Sequence, residues 1–182
     1  MSRSNEFHQH DSKVMEKTFQ TLNELETVGL VTRYAIGGAF ALSFYTEPIV
    51  TFDVDVFVFV PDADSPLVSL APIYDYLRAR GCPEQREHVV ISGTPVQFIA
   101  AFNPLVEEAV REAVDKSFKA VRVRVLRLEH LAAIMLMTGR AKDNARLAQL
   151  LEVTALDEPR WHGILERHAL TKAWTQFRER FP

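Results

Sequence analysis

Two aspartates stand two residues apart in a strand-like segment, Thr51 to Val60. β-Branched and aromatic residues dominate this segment, and Pro61 ends it. Alternate side chains of a strand point to the same side, so Asp53 and Asp55 are expected to project together. Neighbouring carboxylates repel each other, and Mg²⁺ prefers such oxygen ligands and commonly joins them to phosphates. The spacing predicts a Mg²⁺ site at these two residues, with solvated acids at a strand end as the alternative.

A glycine pair precedes the acids. Gly37 and Gly38 separate a short strand-like segment from an apolar, helix-like stretch at 39–45. Glycine permits a tight turn and close approach to a ligand, and a following helix start favours phosphate. The pair therefore predicts a phosphate-binding turn, although glycine pairs also occur in plain turns. Thr51 lies on the same strand side as the acids. Its hydroxyl could bind phosphate or orient a carboxylate, and a plain β-branched strand residue is an equal alternative.

The elements that must position these residues follow from hydrophobic periodicity and from glycine and proline positions. Their order predicts an α/β (α+β) fold, with a mixed β-sheet and helices followed by a helical C-terminal part. We expect an α/β domain over residues 1–126 and a helical region over 127–182 packed on it. Helices are predicted at 14–25 with Ser12 as cap, 39–45, 65–80, 104–110, 128–138, 141–153 and in two short segments capped by Asp157 and Thr171; strands are predicted at 34–36, 51–60, 88–91, 96–102 and 120–126.

Composition and charge narrow the class of protein. The net charge of −3 argues against a general nucleic-acid binder, because that class usually carries a basic excess. The single cysteine, Cys82, cannot form an internal disulfide, which fits a reducing compartment. No apolar stretch has the length of a membrane span, and residues 1–12 lack the pattern of a signal peptide. We therefore expect a cytoplasmic protein with no membrane partner.

The motifs together resemble a known family. Gly37-Gly38 followed by Thr51-x-Asp53-x-Asp55 resembles the signature of DNA polymerase β-type nucleotidyltransferases. The later segment Gly139-Arg-Ala-Lys-Asp is similar to a helix pair of bacterial nucleotidyltransferases that include the AbiEii-type toxins. The resemblance covers about two-thirds of the chain, and the two motifs together are more specific than either alone.

The resemblance implies a function and a set of roles. It implies a nucleoside triphosphate (NTP) bound with Mg²⁺ in a cleft, and transfer of its nucleotidyl group to an acceptor hydroxyl. Asp53 and Asp55 would hold the metal and be the catalytic residues, and Gly37 and Gly38 would cradle the triphosphate. Lys142 would add positive charge near the phosphates, with a surface lysine as the alternative.

Some positions depart from the family pattern. The family usually has a third carboxylate on a later strand, and Gln97 stands at the matching place. An amide cannot accept a proton at neutral pH, so Gln97 does not replace it as a base. Glu87, on the neighbouring predicted strand, is a candidate substitute. Relatives also often carry an arginine where Ile49 and Val50 stand, and a lysine where Met135 or Met137 stands.

Three functional hypotheses follow. The first is a Mg²⁺-dependent nucleotidyltransferase whose acceptor is an RNA end, a protein or a small molecule, since the fold does not choose among them. The second is a catalytically weakened nucleotide-binding protein or toxin–antitoxin component without transfer activity. The third is an interaction module that keeps only the fold.

Overall fold

The computed structural model describes residues 3–47, 51, 53–61 and 69–181. The described part contains helices α1 (Arg3–Thr27), α2 (Gly38–Leu42), α3 (Ala71–Ala79), α4 (Pro104–Arg111), α5 (Leu128–Thr138), α6 (Ala141–Val153), α7 (Glu158–Arg167) and α8 (Thr171–Arg180). Its strands are β1 (Arg33–Ile36), β2 (Val54–Phe59), β3 (Glu84–Gln85), β4 (His88–Ile91), β5 (Thr94–Ala100), β6 (Val114–Phe118) and β7 (Val121–Val125).

The seven strands form one sheet in the order β3-β4-β5-β2-β1-β7-β6. Strand β2 runs parallel to β5 and antiparallel to β1, and β1 runs parallel to β7. The other neighbouring pairs are antiparallel. A mixed sheet with helices and a helical C-terminal part confirms the predicted fold class. The division into domains at residue 126 stays a prediction.

Strand β2 lies between β5 and β1 and is the central strand of the sheet. Val54, Val56 and Val58 are buried on one face. Tyr34, which pairs with Val58, donates its hydroxyl hydrogen to Asn23 Oδ1 of α1, so this face is covered by α1. The alternate residues of β2, which include Asp55, face the other side of the sheet.

Helix α5 follows the end of the sheet and is almost entirely apolar. Leu131, Ala132 and Leu136 of this helix are buried. The helix ends at Gly139, whose φ of 62° is left-handed and whose N–H donates to Met135 O at 3.1 Å. Glycine at this position costs no Cβ strain and is a common helix terminator. The turn at Gly139 brings the start of α6 to the same side of the sheet as Asp55.

Several predicted boundaries differ from the structure. Helix α1 begins at Arg3 and not near Ser12, because the polar residues before Ser12 include ordinary helix formers. Strand β2 begins at Val54, so Asp53 immediately precedes it. The predicted helix at 65–80 is observed as α3, and its predicted start lies outside the described residues. Strands β3 and β6 were not predicted, since both consist largely of polar residues. Among the described helices, none is long and apolar enough to cross a membrane.

Candidate functional site

A cavity of about 310 Å³ opens where strands β2 and β5 meet helices α2, α5 and α6. Asp53 and Asp55 line its strand side together with Gln97, and Gly38 lines it from the start of α2. Lys142 lines it from α6. The structure thus brings most of the residues selected from the sequence to one cavity.

Asp55 and Gly38 are in close contact. Gly38 has a left-handed φ of 60°, and a Cβ atom built on it would lie 2.0 Å from Oδ2 of Asp55. A side chain larger than hydrogen therefore cannot fit at residue 38 while the carboxylate keeps this position. The observed role of Gly38 is to let the backbone turn pass directly beside the acid.

The environment of Gly37 differs from that of Gly38. It is buried, and a Cβ on it would lie 2.3 Å from the ring of Phe57. Its N–H donates to Asp55 O at 2.8 Å, which extends the pairing of β1 with β2. This amide is therefore used within the sheet. A part for Gly37 in phosphate binding stays a prediction.

The carboxyl group of Asp55 is in an unfavourable place for a negative charge. Burial and the nearby charge of Asp53 raise its pKa, while His88, Lys142 and Arg146 lower it to a smaller extent. Neither carboxylate oxygen accepts a hydrogen bond from the described part of the chain. The site therefore holds a poorly compensated acid, which is a frequent sign of a functional site.

The two oxygens of the Asp53 side chain have different neighbours. Thr51 Oγ1 donates to Asp53 Oδ1 at 2.9 Å, so the threonine orients the carboxylate as the sequence allowed. Thr51 itself lines a neighbouring depression and not the cavity. On the other side, His88 Nε2 lies 3.5 Å from Asp53 Oδ2. Asp53 and Arg146 line both the cavity and the depression and so form the boundary between them.

Gln97 pairs with Asp55 in the register of β5 and β2. Val96 pairs with Val89, so His88 stands opposite Gln97 one position further along β4. Asp55, Gln97 and His88 therefore form a row across three strands on one face of the sheet. Glu87, the other carboxylate candidate, lines the depression together with Asp53.

Helix α6 supplies the positive charges. Lys142 and Arg146 are four residues apart, which places them on the same face of the helix, and both line the cavity. Arg140 also lines it, but its Nε donates to the buried Asp143 at 2.6 Å. The strand wall is thus acidic and the helix wall is basic.

The far end of the cavity is apolar. Ile99, Val106, Met135 and Met137 line it, so both methionines noted as departures from the family lie here. Phe102 also lines this end and is 71% exposed, which is unusual for a phenylalanine. Ile49 and Val50 lie outside the described residues.

Sequence reasoning missed His88, which lines the depression, and Phe102 and Arg146, which line the cavity. Arg146 had a signal, because it follows Lys142 by one helical turn. His88 and Phe102 had none, because only the strand order brings the start of β4 and the end of β5 beside β2.

A second group of ionisable side chains lies away from the cavity. Glu108, Glu112 and His130 form the cluster of described residues in which three potential metal ligands lie within 4.8 Å of one another. Glu108 also accepts hydrogen bonds from Arg167 at 2.6 and 3.1 Å and contacts His168 at 2.8 Å. Arg167, followed by His168 and His130, lowers the pKa of Glu108 to about 2. Because a guanidinium already supplies the opposite charge, this network is best explained as a structural link among α4, α5 and α7.

No protein-family model and no curated protein matches the chain.

Proposed function

We propose that the chain is a divalent-metal-dependent nucleotidyltransferase that moves a nucleotidyl group from an NTP to an acceptor hydroxyl. The observation that carries this proposal is the division of one cavity into three parts. An acidic wall holds Asp53 and Asp55, a basic wall holds Lys142 and Arg146, and one end is apolar. A metal-bound triphosphate with its base needs these three environments, and about 300 Å³ is within the usual size of a small-molecule site.

The acid pair suits a divalent ion such as Mg²⁺. Asp55 is half-buried beside Asp53, and its oxygens accept no hydrogen bond from the described residues, so a divalent ion would relieve the repulsion between them. Such an ion neutralises phosphate charge and lowers the pKa of an acceptor hydroxyl. Thr51 fixes one oxygen of Asp53, which leaves the other oxygen to act as a ligand.

The remaining lining residues would bind and orient the nucleotide. Lys142 and Arg146 lie opposite the acids and attract the phosphate chain. Phe102 offers an exposed ring at the apolar end, where a nucleobase can stack on it. Gly38 keeps Asp55 in place and adds no bulk beside the phosphates.

The acceptor would approach from the depression beside the cavity. Asp53 and Arg146 border both spaces, so a hydroxyl arriving there would meet the nucleotide at the acidic wall. The acceptor classes are an RNA end, a protein or a small molecule, and a toxin–antitoxin partner is included among the protein candidates.

One observation favours a second candidate, a nucleotide-binding protein or toxin–antitoxin component without transfer activity. Gln97 pairs with Asp55, at the place where a third carboxylate would serve as base. An amide cannot take a proton there. Nucleotide binding would survive this change, whereas transfer would be slow.

Calorimetric titration of each NTP, with and without Mg²⁺, tests binding. We expect Mg²⁺-dependent binding that Asp53→Ala and Asp55→Asn abolish. Asp75→Asn is the matched control, because Asp75 is exposed on α3 and contacts Arg78 at 2.6 Å, away from the cavity. Absence of Mg²⁺-dependent binding of any NTP would refute the proposed function.

Incubation of labelled NTP with cellular RNA and protein separates the two candidates. Transfer of label supports the enzyme, and binding without transfer under any condition supports the second candidate. If Gln97→Glu increases the transfer rate, the missing base explains the weakness of the wild-type chain.

A further inference from the structure

His88 has an unusual surrounding for a polar side chain. It is the first residue of β4 and faces the same side of the sheet as Gln97 and Asp55. Its Nε2 atom is buried and has no hydrogen-bond partner among the described residues. A buried ring nitrogen without a partner loses its hydration without compensation, so the position calls for an explanation.

Asp53, a predicted metal ligand, lies close to this nitrogen. Nε2 lies 3.5 Å from Asp53 Oδ2, yet the two atoms form no hydrogen bond. A charge-assisted hydrogen bond between these groups would close to about 2.7–2.9 Å. Two ligands held about 2.1 Å from one ion lie about 3.0 Å apart at a right angle and about 3.4 Å apart at the tetrahedral angle. In the octahedral geometry of Mg²⁺ or Mn²⁺, the two atoms would therefore have to approach each other by about 0.5 Å to bind one ion.

Asp53 is arranged to present the oxygen that faces His88. Its Oδ1 accepts a hydrogen bond from Thr51 at 2.9 Å, which leaves Oδ2 on the histidine side. A hydrogen bond to one oxygen of a carboxylate commonly orients the other toward a metal.

We propose that His88 Nε2 and Asp53 are ligands of the same divalent ion, so that the site prefers Mn²⁺ to Mg²⁺. This inference rests on the proposed function, with Asp55 as the predicted second carboxylate. His88 lies on the strand next to Gln97, the residue at the place of the third carboxylate in the family pattern, and offers a nitrogen beside that place. Mg²⁺ strongly prefers oxygen, whereas Mn²⁺ and later divalent ions of the series accept imidazole.

The ligand atoms of Asp53, Asp55 and His88 do not all lie within 4.8 Å of one another, unlike those of the Glu108 cluster. The site is therefore less tightly assembled than that cluster. We therefore expect modest Mn²⁺ affinity for the protein alone and higher affinity when nucleotide phosphate completes the set of ligands.

Mn²⁺ binding to the full chain, followed by electron paramagnetic resonance, tests the proposal. Pulsed spectra report nitrogen directly bound to Mn²⁺, and loss of the free-ion signal gives the affinity. For wild type we expect nitrogen coupling that His88→Asn and His88→Gln remove, with Mn²⁺ affinity at least tenfold weaker and Mg²⁺ affinity changed less than threefold. His162→Asn is the matched control, because His162 is exposed on α7.

Two outcomes would overturn the inference. One is nitrogen coupling or Mn²⁺ affinity that His88→Asn and His88→Gln leave unchanged. The other is nitrogen coupling that disappears in Glu108→Gln, which would place the ion at the second cluster. Failure of the inference is distinguishable from failure of the proposed function, because Mg²⁺-dependent NTP binding would persist in the first case and be absent in the second.

Discussion

Replacement of Gly38 by alanine tests the contact on which the site depends. The backbone of residue 38 has φ of 60°, a conformation that costs a non-glycine residue about 1–2 kcal/mol. The added Cβ would also lie 2.0 Å from Oδ2, 2.8 Å from Cγ and 3.1 Å from Cβ of Asp55. All three atoms belong to one short side chain, so the carboxylate must rotate or the turn must move. Forced overpacking of this kind costs about 1–3 kcal/mol more.

The variant Gly29→Ala separates the backbone cost of a positive φ from the steric cost of the contact with Asp55. Gly29 has φ of 77°, and a Cβ there would meet nothing within 4 Å, so this variant carries the backbone cost alone. Alanine also restricts the unfolded chain, which returns about 0.4–1 kcal/mol in both variants. We expect a net loss of about 1 kcal/mol for Gly29→Ala and about 2–4 kcal/mol for Gly38→Ala. For a chain of this length each kcal/mol lowers the melting temperature by about 2–4 °C.

Urea unfolding followed by circular dichroism measures the stability of each variant. Calorimetric titration with NTP and Mg²⁺ measures the affinity of its site for nucleotide. Gly38→Ala should lose nucleotide binding because Asp55 is displaced, while Gly29→Ala should bind as wild type does. The reasoning would be refuted if Gly38→Ala were no less stable than Gly29→Ala and bound nucleotide with unchanged affinity.

Four further substitutions have distinct expected results. Asp55→Asn should raise the free energy of unfolding by about 1 kcal/mol, because it removes a poorly compensated, half-buried charge, while abolishing NTP binding; equal or lower stability would contradict this. Arg146→Ala should weaken NTP binding by about tenfold and flatten its salt dependence, as measured by titrations at several ionic strengths. Phe102→Ala should weaken the binding of all four NTPs by a similar factor, corresponding to about 1–3 kcal/mol, because stacking does not distinguish base edges. Weaker binding of one NTP alone would argue against stacking. Glu108→Gln should cost about 2 kcal/mol at neutral pH. The pKa of Glu108 is lowered from 4.5 to about 2 in the folded state, so its contribution is full above pH 4.5 and is lost as the pH falls toward 2. Urea unfolding at pH 7 and near pH 2 should therefore give a smaller difference between Glu108→Gln and wild type at the lower pH.

The sequence predicted those parts of the fold that depend on local patterns. Alternation on β2 correctly indicated that Asp53 and Asp55 approach the same side of the sheet, since both line the cavity. The apolar run of α5 and the glycine at its end, Gly139, likewise predicted this helix with its observed bounds. In these cases the signal lies within a few neighbouring residues.

The features of the fold and of the site that were not predicted depend on the order of the strands or on strands made of polar residues. His88 reaches Asp53 only because β4 lies beside β5 and β5 beside β2, which no local pattern specifies. Strand β6 has exposed Asp115 and Ser117 and is recognised as a strand only through its pairing with β7. The exposed position of Phe102 is also a tertiary result, because an isolated phenylalanine after a strand predicts burial.

The two edges of the sheet bear on how the protein behaves when it is concentrated. One edge strand, β3, has only two residues, and the other, β6, carries exposed Asp115 and half-buried Lys116. Short or charged edge strands make poor templates for pairing with another copy of the chain. The open ends of this sheet therefore disfavour the growth of intermolecular β-structure, and we expect concentrated samples to resist fibrous aggregation.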